Sequence, residues 1–456
     1  MASVSEIIAT WIDNCNYDEL PIEIIEIAKR NILDCVGTAL AGSKEPVAHV
    51  LDQYLSEIGG DKQATVLGLG VKSACSEAAM ANGILSHALD YDDLVIPATG
   101  AGGPHITAAV LPAALAVAEY RKKTGKDLIL AYVIGCETAY RIGRAVDPTH
   151  YNAGWHTTGT VGIFGGVAAA GKLLELDDSS IAFAHGIAAS EASGLRENFG
   201  TMTKFLHAGQ AAGKGVRAAL LAKCGFESSK RIFEGKSGFC NVFTKEPKIE
   251  EVTKDLEQYL CLPQIRLKLY PCCAGSHAAI YATGQIMKEA TVETDDINEI
   301  KVFCDPQMRR VLTFDQPENI DEAKFSVQFP VALVCMQRKV TLSEFTTDNL
   351  NDPDIQNLMR KIKLIPQDEL KAKSVHSRTA VVEIVLKDGR KFVNRCDHPP
   401  GTPQNKIGEG DIYEKYQACA EQILKADAIE KVFEQIMSLE KIDNLDDLLT
   451  IAGKTH

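Results

Sequence analysis

Apolar positions recur every three or four residues through most of the first 260 residues of this chain, the spacing of helices that bury one face. "IEIIEIAKRNILDCVGTALAGS" (22–43) keeps that period for six turns and stops at Gly42. "SEAAMANGILSHALD", "ITAAVLPAALAVAEYRKKTG", "GKDLILAYVIGCETAYRIGRAV" and "SSIAFAHGIAAS" repeat it, with enough alanine and glycine to predict closely packed helices. Alternating β-branched runs are nearly absent, which predicts an all-helical domain over residues 1–265. The pattern then changes. "INEIKVFC" (297–304) alternates apolar and polar positions, and "AVVEIVLKDGRKFVNR" (380–395) reads as two strands around an Asp388-Gly389 turn. With helical pieces such as "FSVQFPVALVCMQ" between them, residues 266–398 are expected to form a smaller α+β domain. From about residue 408 the amphipathic helical period returns, so residues 399–456 are expected to rejoin the helical domain. The fold class is therefore mainly α, with an inserted α+β unit.

Composition narrows the functions open to such a chain. Its 456 residues carry a formal net charge of −13, which disfavours nucleic acid or an anionic membrane as the main partner. A local cluster of basic side chains can still reverse the field inside one pocket. The 13 cysteines fall without CxxC pairs, and "MASVSEIIATWIDNC" has no basic n-region followed by a long apolar run. These features predict a cytoplasmic protein with reduced thiols. No apolar stretch approaches the roughly 20 residues that span a bilayer.

Four stretches hold candidate chemistry, and two resemblances to nucleotide motifs fail. "GVAAAGKL" (166–173) has the spacing of a P-loop but ends in Leu173 where Ser or Thr would hold magnesium, and "LGLGVKSACSE" has no βαβ frame. "SHALDYDDLVIPATGAGGPH" (86–105) runs from a helix end through a Gly-rich loop; Asp90 and His105 read as site residues, Asp92 and Asp93 as a solvated or capping acidic turn. "YNAGWHTTGTVGIFGG" (151–166) puts His156 and Thr157 at a helix start, where hydroxyls and unpaired N–H groups suit a carboxylate. "TMTKFLHAGQ" (201–210) places Lys204 and His207 on one face of a first helical turn. "IRLKLYPCCAGSHAAIYA" (265–282) supplies Lys268 and His277, while Cys272 and Cys273 read as buried structure. A competing reading makes His87, Asp90, Asp92 and His105 the ligands of a divalent ion in a hydrolase. Another makes the chain a carboxylate-binding protein without catalysis.

Together "HALDYDD", "HITAAVLPAALAVAE", "GWHTTGTVGIFGGVAAAGKLLELD", "GTMTKFLHAGQAA", "YPCCAGSHAAI" and "PPGTPQNK" resemble, in order, the signature stretches of the MmgE/PrpD family. That family includes 2-methylcitrate dehydratase, cis-aconitate decarboxylase and iminodisuccinate epimerase. The resemblance implies a helical domain built from both chain ends, an α+β lid domain, a homodimer, no cofactor or metal, and a small polycarboxylate substrate. It carries catalytic roles to Asp90, His105, His156 and Lys204, and substrate-binding roles to His207, Lys268 and His277, with Thr157 beside them. Cations grouped in an acidic chain fit a substrate with two or three carboxylates. Dehydration leads among the family reactions, with epimerisation as the alternative. Leu94 follows Asp93 where decarboxylase-like members have threonine, Phe329 stands where the family often has tyrosine, and the segment up to His105 is longer. These departures weaken the transfer of decarboxylation.

Overall fold

The computed structural model describes residues 2–96, 103–290, 292–371 and 379–454. Two compact units divide the chain. The first runs to Glu197, resumes over Thr203–Leu267 and returns from Gly408; the second holds Asn198–Met202 and Lys268–Ile407. Against the boundaries drawn from the sequence, residues 399–407 and the five-residue stretch at 198 fall in the second unit.

In the first unit the helix Thr157–Leu173 is buried almost throughout and packs against Ile106–Tyr120, Gly125–Val146 and Thr203–Lys223. Glycines make that packing close. A Cβ added at Gly215 would stand 2.8 Å from the Gly166 carbonyl carbon, so these two helices cross backbone to backbone. Cys75–His87 crosses Thr203–Lys223 in the same way, where a Cβ at Gly83 would come within 2.8 Å of the Gly209 Cα. The "GVAAAGKL" stretch is the last two turns of a buried helix, in keeping with its rejection as a phosphate loop. One expectation needs correction, because the unit is not wholly helical. β1 (Ala64–Val66) and β2 (Val71–Ser73) form an antiparallel hairpin whose turn contains Gly68 and Gly70, at φ +68° and +69°. Three-residue strands are too short to show an alternating period.

The second unit carries a four-stranded sheet in the order β4-β3-β5-β6 (Ile362–Pro366, Ile297–Cys304, Ala380–Leu386, Lys391–Cys396). β3 and β4 are parallel and the other pairs antiparallel. The register sets Ile300 opposite Ile384 and Val302 opposite Val382, so one face of the sheet joins the apolar core. His277–Glu289 packs on β5 and β6, and Gly389, at φ +90°, closes the β5–β6 hairpin anticipated at Asp388-Gly389. After the second unit, Glu409–Ala420 packs on Ile22–Gly42 within the first unit. There Lys415 lies 2.6 Å from Asp34 and donates to the Tyr91 carbonyl at 2.7 Å.

Candidate active site

Helix ends of the first unit gather a set of ionisable side chains. His87 is the last residue of Cys75–His87, and the turn after it carries Asp90, Asp92 and Asp93. His105 immediately precedes Ile106–Tyr120, and His156 immediately precedes Thr157–Leu173. Lys204 and His207 occupy the first turns of Thr203–Lys223. The glycine crossing at Gly83 and Gly209 lies one turn from His87 and just over one turn from Lys204, which fixes those two side chains against each other. Three helix N-termini therefore meet here, and their dipoles favour negative charge.

Asp92 is the hub of the network. Its carboxylate lies 2.9 Å from His87 Nδ1 and 3.0 Å from His105 Nδ1. Both imidazoles thus direct an Nδ1–H at one acid, which orients the rings and leaves Nε2 as the working nitrogen of each. On the far side of His87, the Lys204 ammonium donates to Nε2 at 2.8 Å and to Asp90 Oδ1 at 2.9 Å. His105 Nε2 stands 3.6 Å from that same Asp90 oxygen. The His156 and His207 Nδ1 atoms are 2.9 Å apart, so the pair shares a single proton between them. Gly194 makes room for His207: a Cβ there would stand 3.3 Å from the ring Cγ, on a backbone at φ +146°. Thr158 Oγ1 accepts from the His105 amide at 3.0 Å, tying two of the helix starts together.

All of these groups are buried. Burial drives His87 down to about 3, with the charges of Lys204 and His105 adding to the shift against the pull of Asp92. His156 is held well below the usual range by burial and by His207 and Lys204, and His207 falls to about 4 through burial and Lys204. Burial alone would raise Asp92, but its two imidazole partners overturn that and keep it ionised. Asp93 goes the other way, to about 7, because burial and the neighbouring Asp34 and Asp92 outweigh the bonds from Thr107. At neutral pH His87, His156 and His207 are therefore neutral, beside the ionised Asp92.

Of the residues singled out in the sequence, Asp90, His105, His156, Lys204 and His207 come together here. Thr157 is buried at a helix start in the same unit, and its hydroxyl has no hydrogen-bond partner among the described residues. Of the reading of Asp92 and Asp93 as a solvated or capping turn, the solvated half is wrong, since both are at most 1% exposed and Asp92 holds two imidazoles. Asp93 does cap, accepting from the Thr107 amide at 3.3 Å in the first turn of Ile106–Tyr120. Asp93 accepts from the Thr107 hydroxyl, which also meets Tyr132. His87 appeared in the sequence only as a possible metal ligand, although its place three residues before Asp90 put it at the same helix end. Lys268 and His277 lie in the second unit, where both are buried; His277 Nε2 is 3.2 Å from the Cys272 carbonyl, and its ring meets Tyr270 edge-on. Cys272 is fully buried there, as expected, while Cys273 is partly exposed. Phe329 sits in the apolar core of the second unit, edge-on to Phe345, and Leu94 is buried in a backbone pairing with Arg266. Residues 97–102 of the longer segment before His105 lie outside the described residues.

The donor atoms of His87, Asp90, Asp92 and His105 lie within 4.8 Å of one another, close enough to hold a divalent ion. Lys204 competes for that role: its ammonium already bonds Asp90 and the His87 Nε2, two of the four donors an ion would need. Among the described residues no helix is long and apolar enough to cross a membrane.

Known proteins resemble the whole chain. A cis-aconitate decarboxylase from Homo sapiens is 29% identical over 464 residues, covering 99% of this chain and 95% of that protein. One from Aspergillus terreus is 28% identical over 476 residues, covering 99% and 96%, and one from Mus musculus is 29% identical over 461 residues, covering 98% and 92%. Residues 6–252 match the MmgE/PrpD N-terminal domain and residues 270–439 the MmgE/PrpD C-terminal domain, and the chain belongs to the MmgE/PrpD family.

Proposed function

We propose that the protein is a lyase acting on a small di- or tricarboxylate, using its own acid–base side chains. One observation carries the reading: neutral histidines and a lysine ammonium are buried at three converging helix N-termini, around a carboxylate that orients two of the rings. An anionic substrate would gain from those dipoles and from Lys204, with the Thr157 hydroxyl as a further donor. Breaking a bond next to a carboxylate leaves an electron pair that spreads onto that carboxylate. The Lys204 ammonium and the helix ends stabilise this charge, and they do so more as it grows. In a decarboxylation the C–C bond breaks, carbon dioxide leaves and a proton is delivered to carbon. In a dehydration a base removes the proton beside the carboxylate, and an acid protonates the departing hydroxyl. His105, oriented by Asp92, serves as the base or as the acid. His156, coupled to His207, supplies the second proton site. Asp90 holds Lys204 in its charged form. Lys268 and His277 keep substrate-binding roles in the proposal, on the matching motif alone.

Between the two lyase reactions, the named relatives favour decarboxylation of cis-aconitate as the first to test. The structure also removes one objection to it. Phe329 belongs to an apolar core, where a lost hydroxyl says little about substrate contacts. Proton NMR in D2O with cis-aconitate and with 2-methylcitrate decides the matter. The expected result is a new vinylic product in one tube, absent with Lys204→Ala. Deuterium exchange at one carbon without elimination, or no reaction in either tube, would overturn the lyase reading. A homodimer belongs to the same proposal, and light scattering of the purified chain tests it.

A further inference from the structure

His87 has no part in the reaction as just written, yet it is fully buried at the centre of the cluster. It lies between two charged groups, with Nδ1 on Asp92 at 2.9 Å and Nε2 on Lys204 Nζ at 2.8 Å. Its ring is 4.3 Å from that of His105 and 6.1 Å from that of His156, and the edge of Phe205 closes another side. Only one tautomer satisfies both contacts: Nδ1–H donates to the Asp92 carboxylate and the Nε2 lone pair accepts from the ammonium. A leucine of similar size would leave Asp92 with one imidazole fewer and Lys204 facing an apolar wall.

We propose that His87 is a positioning residue that acts through Lys204: as an oriented neutral acceptor it holds the ammonium charged and aimed, with Asp90 as its second anchor. Among the described residues the charged and titratable groups facing Lys204 include Asp90 on the turn after Cys75–His87, His87 itself, His105 across the same Asp90 oxygen, and the His156–His207 pair, whose pKa values Lys204 depresses. Removing the neutral acceptor takes away one of the hydrogen bonds that hold the ammonium beside Asp90. Its proton then comes off more easily. Thr203–Lys223 fixes where the lysine stem begins, and the His87–Asp90 pair fixes where its head ends.

The inference rests on the lyase reading for its catalytic consequence, but part of its test needs no substrate. Two polar variants separate the two contacts of the ring. The amide nitrogen of Asn takes the place of Nδ1 and keeps the bond to Asp92, with nothing at the position of Nε2. The longer Gln reaches the position of Nε2 and offers an oxygen to Lys204. The first readout is the pH dependence of Lys204 acylation by acetic anhydride, followed by peptide mass spectrometry. His87→Asn is expected to lower the pH of half-labelling by about one unit, and His87→Gln to restore most of that shift. The second readout is turnover of cis-aconitate. His87→Asn is expected to lower kcat by about 30-fold or more with KM within about threefold, and His87→Gln to recover at least a third of the wild-type kcat. Melting temperatures confirm that both variants fold. Equal behaviour of the two variants, or a higher half-labelling pH and better turnover in His87→Asn than in His87→Gln, would overturn the inference, because a role confined to filling space or holding Asp92 predicts one of those outcomes. If the wild type turns over no polycarboxylate, the lyase reading fails while the labelling order still decides the role of His87.

Discussion

Two of the sets of charged groups buried in the first unit differ in what they bond. Around Asp92, side chain meets side chain: two imidazoles on one carboxylate and an ammonium between an imidazole and a second acid. On Gly125–Val146, Glu137 and Arg141 are equally buried, one turn apart and 3.7 Å from each other, but the hydrogen bonds they make go to backbone. Arg141 donates to the carbonyls of Lys254, Asp255 and Gln258, and Glu137 accepts from the Cys261 amide at 2.6 Å. Glu137 is pushed up to about 7 by burial, much as Asp93 is. A perturbed buried acid therefore does not by itself mark a site. An arginine whose N–H groups bond a loop's carbonyls holds that loop in place. Titratable side chains that bond one another at helix ends keep protons in play.

The largest effect is expected at Lys204. Lys204→Ala should lower kcat/KM by about a thousandfold or more, equivalent to about 4 kcal/mol in the barrier, while the melting temperature changes little. Steady-state turnover and a thermal melt on the same preparation check both halves. Arg141→Leu should do the opposite. It leaves Glu137 and three carbonyls without their partner and should remove about 3–5 kcal/mol of stability, with activity per folded molecule near wild type. Urea unfolding with a parallel assay measures this. A stable, inactive Arg141→Leu enzyme would break the distinction between the two clusters.

Asp92 shows what the sequence could and could not say. Three aspartates within four residues after a helix look like an acidic turn in solvent, and nothing local contradicts that. What buries them is distant in the chain: His105 lies 13 residues on, Lys204 117 residues beyond His87, and Lys415 arrives after the whole second unit. His105, His156, Lys204 and His207 were legible because each stands at a helix start, where a basic side chain has no reason to be in an apolar helix. The strand pattern of β3, β5 and β6 was legible as well, because strands of six to eight residues show the period of two. β4, five residues long and paired in parallel across a long crossover, and the β1–β2 hairpin were not.

Acid titration sharpens the contrast from the structural side. The folded pKa of Glu137, about 7, lies above its ordinary 4.5, so between those values the folded chain binds more protons than the unfolded one. Stability therefore falls as pH rises through that window, by about 3 kcal/mol at most for this one group. Glu137→Gln should flatten that part of the profile, read as urea midpoints from pH 5 to pH 7.5. An unchanged slope would mean that Arg141 keeps Glu137 ionised, and the cluster would then be an ordinary buried ion pair.

The smallest effect is expected at His185, a buried titratable group of a third kind, with apolar surroundings. It is fully buried on Asp178–Glu191 against Phe164 and Phe233. Neither ring nitrogen makes a hydrogen bond of ordinary geometry among the described residues. Burial takes its pKa down to about 4, and the Phe164 backbone only eases the shift. Here the sign reverses relative to Glu137. Below pH 6.5 the unfolded chain takes up a proton that the folded chain refuses until about pH 4, so this group lowers stability as pH falls through that window. His185→Leu removes both the proton linkage and an imidazole whose polar atoms have lost their solvent. The variant should be about 1 kcal/mol more stable than wild type at pH 7. The gap should widen by about 2 kcal/mol on going to pH 5. Denaturant midpoints at the two pH values check it. A gap that stays constant with pH would mean that the folded chain protonates His185 as readily as the unfolded one. Burial without a polar partner would then not be enough to keep an imidazole neutral in this fold, and the neutrality of the site histidines would have to come from Lys204 and from one another.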